Sequence, residues 1–455
     1  MKNNIRILAI ESSCDETAAA VIEEIDGKPV VLSNIISSQV DLHALTGGVV
    51  PEVASRAHVE AIVPVITESL VNSKSQTPNT KEISCSNSLN IKNSNLGIVS
   101  DLDISASDLL NGVTHIAVTA GPGLIGSLLV GFNAAKTISY ALNLPIVPVN
   151  HIEGHIYSAL AGANPKSQTP NTKEISSSNS LNIKNSNLDI VSDLELSASY
   201  FPLISLTVSG GHTSITLMED HGVYETLGET LDDAVGEAYD KVAKLLGLGY
   251  PGGPIVSKYA SEFRNKILNP KSETRNKSQN QNSKSERNPK EIHNSLFIIH
   301  NLSIVFPRPL LRDDTFNFSF SGLKTAVLYQ VKKIILEKDL ASSAEISTEI
   351  KQEICCAFED AVAEVLSSKL SKAIAKYSPK TVVFAGGVSA NSYLRGRLGE
   401  TVTSASPSIT FLSPERAMTG DNAAMIGLAA YYHIKRGDVK KWDEIKVDSN
   451  WELVE

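Results

Sequence analysis

One pattern runs twice through this chain and restricts its fold more than any other feature. A short apolar strand leads into a turn of small or acidic residues, a return strand follows, and helices come after. In the first half, Ile5–Ile10 reads as the strand, ESSCDET (Glu11–Thr17) as the turn and Ala18–Ile25 as the return strand. Glu52–Leu70 reads as a helix, as does the stretch opened by GPGLIGSL and running to Leu142. Strands are expected at His115–Thr119 and Ile146–Val149, and a helix at His151–Leu160. In the second half, Leu203–Val208, SGGHT and Ser214–Met218 restart the theme, with helices at Asp233–Leu246 and Thr348–Tyr377. Strand Thr381–Phe384, the turn AGGVSAN and a helix after Thr419 complete it. Uninterrupted apolar strands are buried on both faces, and strands alternating with helices make layered α/β domains. Two similar α/β domains around one cleft are therefore expected, at 1–150 and 151–430, with a C-terminal tail at 431–455.

A second repetition is of another kind. The 34 residues from Lys74 recur from Lys166 with four differences, and both copies are rich in Ser, Asn and Lys. A stretch at about 265–300 has the same composition. Such segments bury too little apolar area to offset their chain entropy. Lengthening a surface loop costs little, so insertions are assigned at about 74–110, 166–200 and 265–300.

The formal net charge is -9, so a nucleic-acid partner would need a local basic strip or a helper subunit. The four cysteines form no CxxC pair, which fits reduced thiols. The start shows no signal peptide, and no apolar run approaches the ~18 residues that span a bilayer. A soluble, cytoplasmic protein without membrane attachment is expected.

Five clusters carry possible chemistry. His151 and His155, four apart on a helix, lie about 40° apart in direction, so both imidazoles can reach one ion. Glu153 points about 200° from His151, a poor position for the general base of a zinc protease. A third, oxygen ligand is expected from Asp421 at the start of the last helix, approaching from the second domain. A pair of ordinary histidines is the plainer alternative. SGGHT and AGGVSAN follow strands, where glycine lets backbone N–H groups approach phosphate or a nucleoside; tight turns alone would look the same. Asp15 and Glu16 could place an acid or base beside a phosphate or carbonyl. Asp240, in LDDAVGEAYDK ahead of YPGGP, could take ribose hydroxyls or lie on a solvated helix face.

The order of these motifs carries more than any one of them. ESSCDET, GGVVPEVASRAHVE, TAGPGLIGSL, NHIEGHIYS, SLTVSGGHTS, LDDAVGEAYDKVAKLLGLGYPGGP, FSFSGLKTA, FAGGVSAN and TGDNAAMI together resemble the bacterial tRNA N6-adenosine threonylcarbamoyltransferase family, once called O-sialoglycoprotein endopeptidase or glycoprotease. The resemblance runs from about Ile5 to Ala430, outside the insertions. It implies the actin-like fold of the RNase H-like ASKHA superfamily, with a nucleotide-binding cleft. It implies His151, His155 and Asp421 as ligands of one divalent metal, iron or zinc. Thr207, Val208, Ser209, Gly210 and Gly211, with Asp240, Gly253 and Asn391, match substrate-binding positions for threonylcarbamoyl-adenylate. Asp15 and Glu16 match the acidic pair beside the reacting group. Ser257 stands where the family often has an Asp that contacts ribose, and it is left outside the implied site. The implied reaction modifies adenosine 37 of tRNAs that read codons beginning with A. The implied partners are tRNA, a paralogous subunit of the same fold and a small ATPase, with helices Glu52–Leu70 and Leu124–Leu142 as the docking surface. An actin-like ATPase or kinase, and less favourably a metalloprotease, are the rival readings.

Overall fold

The computed structural model describes residues 4–74, 110, 112–161, 200–268 and 302–453. The insertions lie, apart from their edges, outside the described residues. Residues 265–268, assigned to the third insertion, instead complete helix Gly252–Leu268, because Phe263, Ile267 and Leu268 pack on a hydrophobic core.

The chain divides into two compact units. The first takes Met1–Gln39, Pro51–Ser197 and Asp421–Glu452. Its strands are β1 (Arg6–Glu11), β2 (Glu16–Ile25), β3 (Lys28–Ser38), β4 (His115–Gly121) and β5 (Ile146–Asn150), in the order β3-β2-β1-β4-β5. β1 pairs antiparallel with β2 and parallel with β4. Ile7, Leu8, Ala9 and Ile10 are wholly buried, as an apolar central strand with both faces covered requires. Leu8, Ile10 and Val21 join the core that helices Pro51–Lys74 and Ile125–Leu142 also line, through Ile62, Val65 and Phe132. Ala9 and Ile22 face the other way, against helix Ala423–Arg436. A Cβ on Gly427 would overlap Ile22 Cδ1, so glycine lets that helix lie directly on the sheet. Gly154 does the same for helix His151–Ala161, where a Cβ would stand 2.8 Å from Ile426 Cδ1.

The second unit takes Val40–Val50, Ala198–Gly420 and Leu453–Glu455. Its strands are β6 (Leu203–Val208), β7 (Thr213–Asp220), β8 (Val223–Glu229), β9 (Thr381–Ala385) and β10 (Thr410–Leu412), in the order β10-β9-β6-β7-β8. β6 pairs antiparallel with β7 and parallel with β9, which repeats the first sheet strand for strand. Helices Val235–Leu245, Gly252–Leu268, Ser321–Glu337, Thr348–Tyr377 and Ser392–Ala405 pack with it. The long Thr348–Tyr377 helix is buried on most of its faces. The fold is α/β, with two units whose five-stranded sheets share one strand order.

Two expectations are corrected. The boundary at 150/151 falls inside the first unit, because helix His151–Ala161 follows β5 without a linker and packs on helix Ala423–Arg436. The segment expected as a C-terminal tail, 431–455, instead belongs to the first unit as far as Glu452. The helix runs to Arg436, and beyond it Lys440 bridges Ile146, Asp448 N donates to Ala120 O, and Asn150 Nδ2 donates to Trp451 O.

Candidate functional site

In the first unit, β5 ends at Asn150 and the helix that follows starts at His151. The Asn150 side chain accepts from Ile152 N at 2.9 Å, which fixes the helix start. His155 lies one turn on. Asp421 immediately precedes Asn422, whose side chain caps helix Ala423–Arg436 by accepting from Met425 N. One donor atom from each of His151, His155 and Asp421 lies within 4.8 Å of the others. His151 Nε2 is 3.4 Å and His155 Nε2 is 3.2 Å from Asp421 Oδ1. All three belong to the first unit, so Asp421 does not come from a second domain as expected. Close packing of two helices at Gly154, on Met425 and Ile426, brings it there.

The surroundings suit a cation. Glu11, fully buried, accepts from Ser13 N and Thr119 Oγ1, both at 2.5 Å, and its Oε2 lies 3.2 Å from His151 Nδ1. A carboxylate on one ring nitrogen leaves the other to face a metal. Buried His155 Nε2 faces Asp421 Oδ1 without good hydrogen-bond geometry, and an ion between the two would satisfy both. Two imidazoles and one carboxylate, with positions left open, could hold a divalent metal ion. Burial opposes charge on His151, yet the Asp421 and Glu11 carboxylates raise its pKa well above the usual imidazole value. Burial likewise pushes Asp421 up, but His151 and His155 hold it well below the carboxylate range.

The β1–β2 turn carries Asp15 and Glu16 into this neighbourhood. Burial first, then the charges of Asp421 and Asp15, raise Glu16 well above an ordinary carboxylate pKa. Ser38 Oγ donates to it at 3.2 Å and opposes the shift. Burial also raises the Cys14 thiol, which removes it as a thiolate nucleophile at neutral pH. His58, which sequence reasoning passed over, holds the turn from below: Nδ1 is 2.7 Å from Thr17 Oγ1 and Nε2 is 3.0 Å from Cys14 O. Its only signal was a histidine in an otherwise helical SRAHVE segment.

In the second unit, a cavity of about 330 Å³ has Gly210, Asp240, Gly253 and Asn391 in its wall, four of the residues picked from sequence. Thr207, Val208, Ser209 and Gly211 do not line it. Thr207 and Val208 end β6 and are fully buried in the sheet. Ser209 closes its own turn: its N and O bond His212 O and Gly236 N. Tyr239 and Ser257 line the cavity and were missed or set aside; nothing in the spacing separated Tyr239 from core aromatics. Asp240 Oδ1 accepts from Gly252 N at 2.7 Å, which joins YPGGP to the preceding helix. The glycines divide into two kinds. A Cβ on Gly236 would stand 2.6 Å from Ser209 O, and one on Gly386, at φ +84°, would fall on Val208 O, so folding demands glycine there. At Gly210 and Gly253 a Cβ would meet open space, so the room belongs to whatever enters the cavity.

A sequence profile of the TsaD family, tRNA N6-adenosine threonylcarbamoyltransferase, matches residues 30–88, 98–178, 190–285 and 273–428. The tRNA N6-adenosine threonylcarbamoyltransferase of Geotalea uraniireducens is 38% identical over 440 residues, covering 96% of this chain and 94% of its own. The protein of the same name from Clostridium perfringens is 39% identical over 438 residues, with the same coverage. That of Staphylococcus aureus is 36% identical over 437 residues, again covering 96% and 94%. With its profile matched over most of its length and its relatives aligned almost end to end, this chain belongs to the tRNA N6-adenosine threonylcarbamoyltransferase family.

Proposed function

We propose that the chain transfers the threonylcarbamoyl group of threonylcarbamoyl-adenylate to N6 of adenosine 37, in tRNAs that read codons beginning with A. The convergence of His151, His155 and Asp421 beside the Asp15–Glu16 turn carries this reading. The cavity at Gly210, Asp240, Gly253 and Asn391 holds the adenylate, with open glycine backbone where its phosphate lies. A divalent metal on the triad, iron or zinc, supplies Lewis acidity toward the carbamoyl carbonyl when bound. Glu11 fixes the His151 ring for that role. The N6 nitrogen attacks the carbamoyl carbon, the bond to the phosphate oxygen breaks, and AMP leaves with the electron pair. Glu16 accepts the N6 proton; its raised pKa makes it a stronger base than an ordinary glutamate. Burial and the Asp421 charge keep Glu16 basic, and Asp15 adds to them.

The protease reading loses its base: Glu153 pairs with His433 Nε2 at 2.9 Å. Val59 and Val63 are 63% and 66% exposed, and Ile125 and Leu129 are also exposed, on two helices that pack together. That apolar face supports docking of a paralogous subunit, with a small ATPase completing the assembly and tRNA as substrate. Among the described residues no helix is long and apolar enough to cross a membrane, and the cytoplasm is the proposed location. The test supplies synthetic threonylcarbamoyl-adenylate and unmodified tRNA to the purified chain, with and without the partner subunits. Modified adenosine in the nuclease digest is expected with partners present. Its absence in the complete reconstitution, with a folded, metal-loaded chain, would overturn the proposal.

A further inference from the structure

Beneath the cavity lies a buried ionic network that the proposed chemistry does not use. Arg264 Nη1 donates to Glu359 Oε2 at 2.5 Å, and its Nη2 donates to Asp360 Oδ1 at 2.6 Å. Its guanidinium stacks 3.5 Å from the centroid of the Tyr393 ring, and Tyr393 OH donates to Asp360 Oδ1 at 2.6 Å. Arg264, Glu359 and Asp360 are all buried. One cation and two carboxylates out of water are costly, and apolar residues of similar volume would often serve stability as well. Glu359 does not reach the cavity wall. Its Oε1 accepts instead from two residues that do: Asn391 Nδ2 at 2.7 Å and Tyr239 OH at 3.3 Å.

Asn391 has no freedom in this arrangement. Its Oδ1 accepts from Tyr393 N and Leu394 N at 3.0 and 3.1 Å, capping helix Ser392–Ala405. Rotating the amide by half a turn would set its NH2 against two backbone N–H donors and its oxygen against a carboxylate. The Tyr239 hydroxyl is bound on both sides, donating to Glu359 and accepting from Asn391 Nδ2 at 3.4 Å. We infer that Glu359, held by Arg264, is a positioning residue: it fixes the Asn391 amide and the Tyr239 hydroxyl in the orientation that the adenylate meets. The inference rests on the reading of this cavity as the adenylate site.

The substitution Glu359→Gln keeps volume and discriminates. Glutamine has one oxygen, which the Arg264 cation claims, so its NH2 confronts the donors of Asn391 and Tyr239. AMP binding to the full chain, measured by calorimetry, should weaken about tenfold, the size of one lost hydrogen bond. In an Asn391→Ala/Tyr239→Phe background the same substitution should change affinity less than about twofold, because a residue acting through those two has nothing left to act on. Equal affinity of E359Q and the unsubstituted chain for AMP would overturn the inference. So would a loss that simply adds to that of the N391A/Y239F background, the mark of general core damage. Should E359Q fail to fold, Arg264→Lys in the same cycle decides, since it loosens the hold on Glu359, keeps the charge and touches no wall residue; additivity there overturns the inference equally. No binding of AMP by the unsubstituted chain removes the adenylate reading of the cavity, and the inference with it.

Discussion

The two sheets share strand order and pairing directions, yet the turns at corresponding places hold opposite chemistry. After β1 the turn presents Asp15 and Glu16; after β6 it presents Gly210 and Gly211. Elsewhere the first unit adds two histidines after β5, at the border of its sheet, while the second adds Gly386, Gly387 and the Asn391 cap after β9, beside its central strand. One unit concentrates titratable side chains that interact strongly enough to shift each other's pKa. The other lines its cavity with backbone, an amide and the single carboxylate of Asp240, supported by charges buried behind the wall. The backbone frame is common to both units; the turn residues decide which carries clustered titratable groups and which carries open backbone.

Four experiments can break or sharpen that contrast. The largest effect is expected from Asp421→Ala. Bound metal, read by elemental analysis, should disappear, and transfer should slow by roughly a thousandfold, the several kcal/mol a Lewis acid contributes. AMP affinity should stay as it was, and a parallel loss would deny that the two sites are chemically separate. Next comes Glu16→Gln, which should keep the metal and cost about a hundredfold in single-turnover rate, the low end for a positioned base. A fully active variant would transfer the role to Asp15 or to water.

Third, Gly386→Ala should destabilise the second unit by about 1–3 kcal/mol in thermal melts, since alanine meets both a positive φ and Val208 O. Gly210→Ala should melt normally and still weaken AMP binding, because its Cβ would enter open space at the cavity. Identical behaviour of the two variants would erase the distinction between glycines kept for folding and glycines kept for a ligand. The smallest effect is that of pH. The His151 pKa is raised above the ordinary value of about 6.5, so the metal-free fold binds its proton more tightly than the unfolded chain does. The stability this gives is complete below about 6.5 and fades as pH rises through the raised value. A metal must displace that proton, so its affinity should fall about tenfold per pH unit below the raised value. AMP affinity should be nearly flat between about pH 6.5 and 8, where no group of its wall ordinarily titrates. A flat metal titration would show that His151 is not a ligand.

Much of this was legible in the sequence because it is local. The apolar runs of β1, β4, β6 and β9 have no other stable fate than the middle of a sheet, and each lies close to where the pattern put it. The histidine spacing needs only one helix. What escaped depends on distant residues. β3 and β8 are border strands with one mostly exposed or half-exposed end, so no apolar alternation marked them. Asp421 does lie beside the two histidines but was given to the wrong unit, since only the packing of Gly427 on Ile22 assigns its helix to the first sheet. Tyr239, Glu359 and Arg264 lie on three helices with ordinary spacing, and their meeting is a property of the packed core.

The return of residues 421–452 to the first sheet also has a consequence in time. A ribosome delivers β1 through β5 and both histidines early, then the whole of the second unit, and only afterwards Asp421 and the helix that covers the open face of the first sheet. At about 5–20 residues per second, that face waits for tens of seconds. Throughout that interval Ala9 and Ile22 lack their covering helix, and the two imidazoles lack their carboxylate. Completion of the His151–His155–Asp421 cluster is thereby tied to near-complete translation. A message cut short before residue 421 yields a chain whose second unit has all its strands but whose first unit keeps an exposed apolar face, the kind of surface by which quality-control machinery recognises unfinished products.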